Sequence, residues 1–413
     1  MKVGIIGGGP GGAVTAATLV RLGHEAHIYE SEVFPRFHIG ESLLPCNMPI
    51  YEDLGISREA FRQQSYQPKT AAHFEHVASG RTVRFPFADG LAGDPASIFQ
   101  VERSRFDKLL LDTAIANGAI LHCPATVASV DLERLAIVHD RGADAYDFIV
   151  DASGRETLLG RQLGIVDRDG DLMRAAVFGH IADLPLAPGA EIGDISIAKA
   201  DEGWCWQIPL EPRKWSIGLV LKRERVIKGG TPADVFRNNL AFFPQVRERL
   251  GGQVPDPTRS IPNISYRVRE RIGPGYALLG DAGGFIDPIF SSGVLLATRA
   301  GWRLGRALHA GGPRMDLGAW KAETDHDLST FVAFIKLWYD GHFVDNLFFA
   351  ERRDPPIYQG IISLLAGNTT HPDNAFLALL KKRMARQNAR TVGTSDVRRP
   401  TSDVKQPTTD IGQ

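Results

Sequence analysis

The stretch KVGIIGGGPGG, residues 2–12, decides the fold of this chain. Its apolar start, residues 2–6, predicts a buried strand, and the small and apolar residues that follow at 11–22 predict a helix. Residues 24–30 (HEAHIYE) predict the next strand. Strand, glycine turn, helix and strand in this order indicate a βαβ unit of a doubly wound sheet.

The glycines of this turn have the spacing of a dinucleotide-binding loop. Gly7 follows the strand, Gly9 lets the backbone approach a pyrophosphate, and Gly12 allows the helix to pack closely on the strand. Glu30 stands 18 residues after Gly12, at the end of the second strand, where a carboxylate can accept hydrogen bonds from ribose hydroxyls. A lone GxGxxG is a weak signal, but the spacing in this context predicts that the chain binds a dinucleotide.

The composition is that of a globular enzyme. The chain has 413 residues, 43% of them hydrophobic and 23% charged, with a formal net charge of -1. This balance, with no run of five like charges, argues against a nucleic-acid partner. The cysteines, Cys46, Cys123 and Cys205, are far apart and form no CxxC, so neither a disulfide framework nor a metal site is expected. The absence of a signal peptide and of a long apolar stretch predicts a soluble cytoplasmic protein without a membrane span.

The pattern along the chain predicts a mixed α/β fold in several parts. Two β-rich segments separated by glycine and proline turns predict one antiparallel sheet on the substrate side, and the βαβ pattern continues around them. The polar C-terminal stretch lacks the apolar groups that would offset its ordering entropy. The predicted parts are a discontinuous nucleotide-binding domain (residues 1–68, 98–172 and 267–312), a β-sheet domain (69–97 and 173–266), a helical region (313–388) and a flexible tail (389–413).

Two later segments each place an aspartate at the end of a strand, before a glycine-containing turn. They are DASGR at 151–155, after FIV, and GDAGG at 280–284, after YALL. Such a carboxylate can reach a sugar-like chain, and a following helix N-terminus can face an anion. Asp151 and Asp281 are therefore predicted to form a flavin-binding set with Glu30, with a simple turn and N-cap as the alternative for each segment.

At these residues the chain resembles the flavin-dependent halogenases, a branch of the flavoprotein monooxygenases with the p-hydroxybenzoate hydroxylase fold. The resemblance covers about the first 300 residues, and WxWxIP and GDAGGFIDPIFSSG are its specific motifs. The matching segments are the opening glycines, residues 34–45 (FPRFHIGESLLP), Lys69, residues 100–103 (QVER), 151–154 (DASG), 204–209 (WCWQIP) and 280–293.

The resemblance implies a Rossmann-like FAD-binding domain and a two-component reaction. FADH2 supplied by a separate flavin reductase reacts with oxygen and with chloride or bromide, and the resulting hypohalous acid travels inward to a lysine. Lys69 is the matching residue. Its amine can take up the halogen as a haloamine, or its ammonium form can orient hypohalous acid by a hydrogen bond, and both roles need a lysine shielded from water. A solvated surface lysine is the alternative, and Ala71 stands where the family's KxGxxF pattern has glycine.

The resemblance also assigns the remaining site residues. Trp204 and Trp206 are two apart, so on a strand both face one side with Ile208, and the family uses such a pair to separate flavin from substrate. Core packing alone would explain the pair as well. The implied halide site is Ser292 and Gly293 at a helix N-terminus, for which an ordinary serine N-cap is the alternative. The implied cofactor contacts are Gly7, Gly9, Gly12, Glu30, Arg36, Gly40, Glu41, Ser42, Arg103, Asp281 and Val294, with Arg36 and Arg103 equally explicable as surface ion pairs.

The hypothesis that follows is halogenation of an electron-rich aromatic or enol molecule, either free or tethered to a carrier protein. A hydroxylase or dehydrogenase that oxidises its substrate directly is the second hypothesis, and a non-catalytic FAD-binding module is the third. No glutamate aligns with the additional one found in tryptophan-specific members, which disfavours free tryptophan as substrate. Aromatic residues of the helical region form either a substrate pocket or a helical core, namely Phe331, Phe334, Trp338, Tyr339, Phe343, Phe348 and Phe349.

Overall fold

The computed structural model describes residues 1–167, 173–262, 264–312, 314–341 and 344–383. The fold is mixed α/β and contains two main sheets, called here the parallel sheet and the large sheet. The predicted flexible tail and Phe343 lie outside the described residues.

The parallel sheet is built around the strand that precedes the glycine turn. Lys2–Ile6 pairs in parallel with Glu25–Tyr29 on one side and with Phe148–Asp151 on the other, and each of these strands begins within one residue of its predicted start. A short antiparallel pair closes one edge. The strands in spatial order are Ile272–Gly273, Tyr276–Leu278, Phe148–Asp151, Lys2–Ile6, Glu25–Tyr29 and Ile120–His122.

Alternation along the strands gives the parallel sheet two buried faces. Val3 and Ile5 pack against a helical layer, whereas Ile6 and Ile149 pack against a small three-stranded sheet. The helices of the first layer are Pro10–Arg21, Arg103–Ala116 and Ser292–Gly311, and the strands of the small sheet are Val127–Asp131, Ala136–His139 and Gly142–Ala145.

The large sheet has seven strands drawn from two distant parts of the chain. Its order is Arg259–Ile261, Arg174–Ala182, Lys214–Lys222, Gly203–Glu211, Ile195–Ala200, Ala71–His76 and Arg81–Pro86. The prediction of a purely antiparallel sheet is wrong at one junction, because Ala71–His76 and Ile195–Ala200 run parallel. These two strands belong to different segments with the parallel sheet's chain between them, so no hairpin forces them to be antiparallel.

Each face of the large sheet is covered by helices. Trp204, Trp206 and Ile208 lie on the face toward the helices Gly318–Tyr339 and Pro355–Leu365, whereas Cys205 faces the opposite layer, as the alternation predicts. That layer consists of the helices Arg223–Ile227, Pro232–Asn239 and Pro244–Leu250. Five of the predicted C-terminal aromatics are buried in the first core, namely Phe331, Phe334, Trp338, Phe348 and Phe349.

The remaining elements connect these layers. Strand Gln67–Lys69 pairs antiparallel with Ile98–Gln100, and Tyr266–Val268 lies between Val166–Asp167 and Gly284–Phe285. The short helices are Met48–Asp53, Arg58–Gln63 and Leu158–Gln162, with single helical turns at Pro45–Asn47, Phe87–Asp89, Gly154–Glu156, Leu240–Phe242, Gly280–Gly283 and Val344–Phe348. Within the described ranges, every helix is too short or too polar to cross a membrane.

Candidate functional site

A cavity of about 710 Å³ lies where the parallel sheet meets the large sheet. The glycine turn, Glu30 and the segment around Gly40 line it from the parallel sheet, and Trp204 and Trp206 line it from the large sheet. It lies beyond the carboxyl ends of the parallel strands, which is where open α/β sheets bind their ligands.

The glycines of the turn have distinct roles. Gly7 has a φ of +101°, and a Cβ there would lie 2.4 Å from the Ala152 carbonyl oxygen. A Cβ on Gly12 would lie only 2.0 Å from the carbonyl oxygen of Gly7, so the helix can start this close to the strand only with glycine. Gly9 faces the cavity, where a Cβ would meet just the Arg36 Nη2 at 3.6 Å. Gly7 and Gly9 thus line the cavity, whereas Gly12 lies behind it.

Glu30 holds the glycine turn as well as lining the cavity. Its Oε2 accepts a hydrogen bond from the Gly8 amide at 2.8 Å, and its Oε1 accepts one from the Glu32 amide at 2.9 Å. Each carboxylate oxygen has a further lone pair, so Glu30 can still accept from a ligand hydroxyl.

The two predicted arginines meet at Asp107, a residue that the sequence did not single out. Arg103 donates to both carboxylate oxygens of Asp107, at 2.6 and 2.9 Å, and to the Ile39 carbonyl oxygen at 2.6 Å. Arg36 lies 3.5 Å from Asp107 and 3.8 Å from Glu30. Both arginines line the cavity, and Arg103 is buried. Arg103 and Asp107 are four residues apart on one helix, and this spacing in the sequence could have identified Asp107 as the partner of Arg103.

The two strand-end aspartates behave differently. Asp281 lines the cavity, and burial raises its pKa against the opposing charges of Arg155 and Arg103. Asp151 does not line it, since its carboxylate accepts hydrogen bonds from the amides of Ser153 and Leu159, at 2.9 and 2.8 Å. For Asp151 the structure therefore favours the simple turn and cap over a ligand contact.

Residues 40–42 carry unsatisfied polar atoms at the cavity wall. Gly40 has a φ of +102°, and Glu41 and Ser42 are both buried and line the cavity. Glu41 accepts a hydrogen bond from His180 through Oε1, at 2.7 Å. Among the described residues nothing bonds to Glu41 Oε2 or to Ser42 Oγ. Buried polar atoms are rarely left unpaired, so these atoms fit a polar ligand in the cavity.

The tryptophan pair forms part of the cavity wall and part of the core. The two rings lie 5.8 Å apart, and Trp206 donates to Ser216 Oγ at 3.0 Å. Trp204 donates to the Tyr339 hydroxyl at 3.0 Å, which in turn donates to Asp287 Oδ2 at 2.8 Å. Burial raises the pKa of Asp287 to about 6. Tyr339 was predicted only as a pocket or core aromatic and Asp287 only as part of the motif at 280–293. The bond between them joins the C-terminal helices to the cavity wall.

Lys69, at the end of the strand Gln67–Lys69, is buried away from the cavity. It is 1% exposed, and its Nζ donates to the Leu43 carbonyl oxygen at 2.7 Å and lies 5.4 Å from the centre of the Phe87 ring. Burial lowers the pKa of Lys69 to about 7, against the opposing effect of Asp194. Lys69 does not line the cavity. Ala71, where the family has glycine, is buried in a regular strand opposite Pro86.

The predicted halide residues lie at the start of the helix Ser292–Gly311. Gly293 and Val294 line the cavity, but Ser292 faces a small separate space beside Arg271 and Asp287. Ser291 lines the cavity instead, has a φ of +56° and makes no side-chain cap. Ser291 thus occupies the N-cap position without a side-chain capping bond, and the first amides of this helix have no intrahelical acceptor.

Comparison with known proteins places these features in a family. A family model described as tryptophan halogenase matches residues 2–98 and 94–370. Tryptophan 2-halogenase of Chondromyces crocatus is 30% identical over 373 residues, covering 83% of this chain and 66% of that protein. A 1H-pyrrole-2-carbonyl peptidyl-carrier-protein chlorinase of Pseudomonas fluorescens is 28% identical over 412 residues, covering 88% of each. The chain thus spans just under two thirds of the length of the first relative.

Solved structures agree with the family match. The flavin-dependent brominase Bmp2 superposes with a TM-score of 0.84 at 25% identity, covering 94% of this chain and 99% of that one. A flavoprotein/dehydrogenase from Cytophaga hutchinsonii gives a TM-score of 0.84 at 29% identity, covering 96% and 99%. These matches agree with the cavity between the glycine turn and the tryptophan pair, and they show that the chain belongs to the tryptophan halogenase family of flavin-dependent enzymes.

Proposed function

We propose that this chain is a two-component halogenase, which uses FADH2 from a separate flavin reductase, oxygen, and chloride or bromide to halogenate an electron-rich aromatic or enol molecule. The observation that carries the proposal is the buried amine of Lys69, whose pKa is lowered to about 7. Burying a lysine amine without a directly bonded carboxylate costs folding free energy. An apolar side chain could fill this place in the core without that cost, so the buried amine favours a functional role.

The cavity fits FAD. Gly7 and Gly9 leave room for a pyrophosphate at the N-terminus of the helix Pro10–Arg21, and Glu30 can accept from a ribose. The unpaired atoms of Glu41 and Ser42 supply acceptor and hydroxyl groups farther along the wall. When bound and reduced, FAD would supply two electrons to oxygen, which could then oxidise halide to hypohalous acid.

Lys69 is suited to receive hypohalous acid. With a pKa of about 7, both forms of the amine are populated near neutral pH. The neutral amine offers a lone pair to electrophilic halogen, and the ammonium form donates a hydrogen bond to the acid's oxygen.

A route from the cavity to Lys69 is supported by two unpaired atoms on adjoining segments. Ser42 Oγ lies next in sequence to Leu43, whose carbonyl oxygen accepts from Lys69, and Gln100 Oε1 is on the strand that pairs with Gln67–Lys69. Ser42 and Gln100 are themselves bridged through their backbones. A small polar molecule passing between them would find hydrogen-bonding partners in these two side chains.

The halide is assigned to the first turn of the helix Ser292–Gly311. Gly293 presents backbone to the cavity, and a helix N-terminus favours an anion. Ser291, rather than Ser292, is the serine on the cavity side, so the proposed halide contact is shifted by one residue from the predicted pair.

The substrate is proposed to be a phenol, pyrrole or indole, either free or bound to a carrier protein. Carrier-bound pyrrole is supported by the Pseudomonas chlorinase, which the chain matches over 88% of its length. The second candidate function, direct oxidation by a flavoprotein of the same fold, is supported by the similarity to the Cytophaga flavoprotein/dehydrogenase.

The test is mass spectrometry of products formed with a flavin reductase, NADH, FAD and oxygen. Parallel reactions contain chloride, bromide or neither, with a panel of free phenols, pyrroles and indoles and a pyrrolyl carrier-protein thioester. We expect halogenated product with the wild type, none with Lys69→Met, and wild-type behaviour with Lys336→Met, whose lysine is exposed. Undiminished halogenation by Lys69→Met would refute the role of Lys69, and hydroxylated product without halide would favour direct oxidation.

A further inference from the structure

The proposed reaction consumes a proton inside the cavity. In the overall balance, FADH2, O2, X⁻ and H⁺ give FAD, HOX and H2O. The two electrons of FADH2 would reduce O2 to the level of a peroxide. The electron pair of X⁻ would then form the O–X bond as the remaining O–O bond breaks, and the other oxygen atom would leave as water, which takes up the proton. The cavity is lined by glycine backbone, indole rings and charged side chains such as Arg36 and Arg103. Arginine does not give up its proton, so this step needs another donor.

We propose that His180 and Glu41 deliver this proton from solvent to the cavity, an inference that rests on the halogenase function proposed above. Glu41 lines the cavity and is 1% exposed. Its Oε1 is bonded to His180 Nε2 at 2.7 Å, and its Oε2 is buried without a partner among the described residues. A buried carboxylate with one oxygen bonded to imidazole and the other unpaired is expensive unless it serves a ligand.

His180 connects this carboxylate to solvent. It lies on the strand Arg174–Ala182 of the large sheet, and its side chain is 21% exposed. The ring of Phe37 covers one side, edge to face, with 5.7 Å between ring centres. Imidazole can bind a proton at one nitrogen and release one from the other, so a proton taken from water at Nδ1 can be passed from Nε2 to Glu41.

The charged groups around the pair are themselves mostly paired. Glu102 interacts with His180 and is bonded to Lys214 at 2.7 Å. Arg103 interacts with Glu41 and is held by Asp107, as described above. Arg259 lies over the Phe37 ring, 3.9 Å from its centre.

The geometry itself is tested on the FAD-free protein. In a ¹⁵N-histidine-labelled sample, the imidazole N–H bonded to Glu41 should give a downfield resonance that disappears in both His180→Gln and Glu41→Gln. If Glu41→Gln leaves the resonance of His180 unchanged, the two side chains do not form the pair and the proposal fails.

The function of the pair is tested by chemical rescue of His180→Gly. We expect this variant to bind FAD within about threefold of the wild type by flavin fluorescence but to halogenate about 100-fold more slowly, the size of a lost general acid. Added imidazole should restore halogenation in proportion to its imidazolium form. Thiazole has a similar ring shape but is not protonated at neutral pH, so it should not restore halogenation. Equal rescue by thiazole, or a wild-type rate without rescue, would show that His180 only fills space.

Two controls separate this proposal from the halogenase proposal. His371→Gly, which removes a histidine that does not line the cavity, should halogenate as the wild type does. If the wild type itself makes no halogenated product, the halogenase proposal fails, and the pair is judged on oxidation of anionic reduced flavin, where FADH⁻, O2 and H⁺ give FAD and H2O2. If this oxidation is slower in His180→Gly and imidazole restores its rate, proton delivery by the pair is supported. If His180→Gly takes up protons from solvent as the wild type does, as followed with an indicator dye, the proposal is overturned.

Discussion

Replacing Lys69 by methionine should stabilise the FAD-free protein, by an amount that depends on pH. Methionine keeps most of the side-chain volume and removes the buried amine. The pKa of Lys69 is about 7 in the fold, against an ordinary value of 10.5. The fold therefore disfavours the charged form, a cost that is fully present below pH 7 and disappears as the pH rises toward 10.5.

The magnitude follows from about 1.4 kcal/mol for each pKa unit. The charged amine costs about 4 kcal/mol at pH 7 and about 2 kcal/mol at pH 9. Methionine leaves the Leu43 carbonyl oxygen without its hydrogen bond, which costs about 1 to 3 kcal/mol at either pH. The net gain at pH 7 is therefore about 1 to 3 kcal/mol, and about 2 kcal/mol of it should be lost between pH 7 and pH 9, whatever the carbonyl costs.

Urea unfolding followed by tryptophan fluorescence at the two pH values measures this difference directly. Wild type, Lys69→Met and the exposed control Lys336→Met are compared without FAD, so that ligand binding does not add to the stability. The control should show no pH-dependent difference from wild type. A free-energy difference between Lys69→Met and wild type that is equal at pH 7 and pH 9 would mean that the amine is ordinarily solvated, and the proposed role of Lys69 would lose its physical basis.

Three further changes test the site. Gly9→Ala adds a methyl group to the open cavity, so it should weaken FAD binding and leave the unfolding temperature unchanged. Gly12→Ala brings a methyl group into the backbone of Gly7, so it should lower the unfolding temperature as well. An equal loss of stability in the two variants would contradict the different surroundings of the two glycines. The free energy of unfolding of Asp287→Asn should rise by about 1 kcal/mol relative to wild type between pH 5 and pH 7, because the raised pKa of Asp287 makes the wild type less stable as this carboxyl ionises. Parallel pH profiles of the two proteins in urea unfolding would refute this. Tyr339→Phe leaves the Trp204 indole N–H without its acceptor and should cost about 1 to 3 kcal/mol with a shift in tryptophan emission; an unchanged emission spectrum would argue against that hydrogen bond.

The sequence was most informative where local pattern and backbone geometry coincide. The strand, turn and helix around Gly7, Gly9 and Gly12 follow from residue spacing alone, and the common face of Trp204 and Trp206 follows from strand alternation. These features depend on neighbours a few residues away, which a single sequence displays.

Features that depend on distant partners were not predictable. Glu41 and His180 are 139 residues apart, and Trp204 and Tyr339 are 135 apart, so no spacing rule relates them. Asp151 and Asp281 looked alike in sequence, yet local amides satisfy only Asp151. Which residue of a tight turn lines a cavity is equally invisible in sequence. Here Ser291 lines the cavity, whereas Ser292 lines a smaller separate space.

The parallel junction of the large sheet has a consequence for how the chain folds during synthesis. The hairpin of Ala71–His76 and Arg81–Pro86 gains its remaining neighbour only when Ile195–Ala200 has been made, more than a hundred residues later. An isolated hairpin is at best marginally stable in water. During synthesis on the ribosome, these two of the seven strands therefore stay without their sheet neighbour and with their apolar face exposed. A chaperone would have the largest apolar surface to cover at this stage of translation.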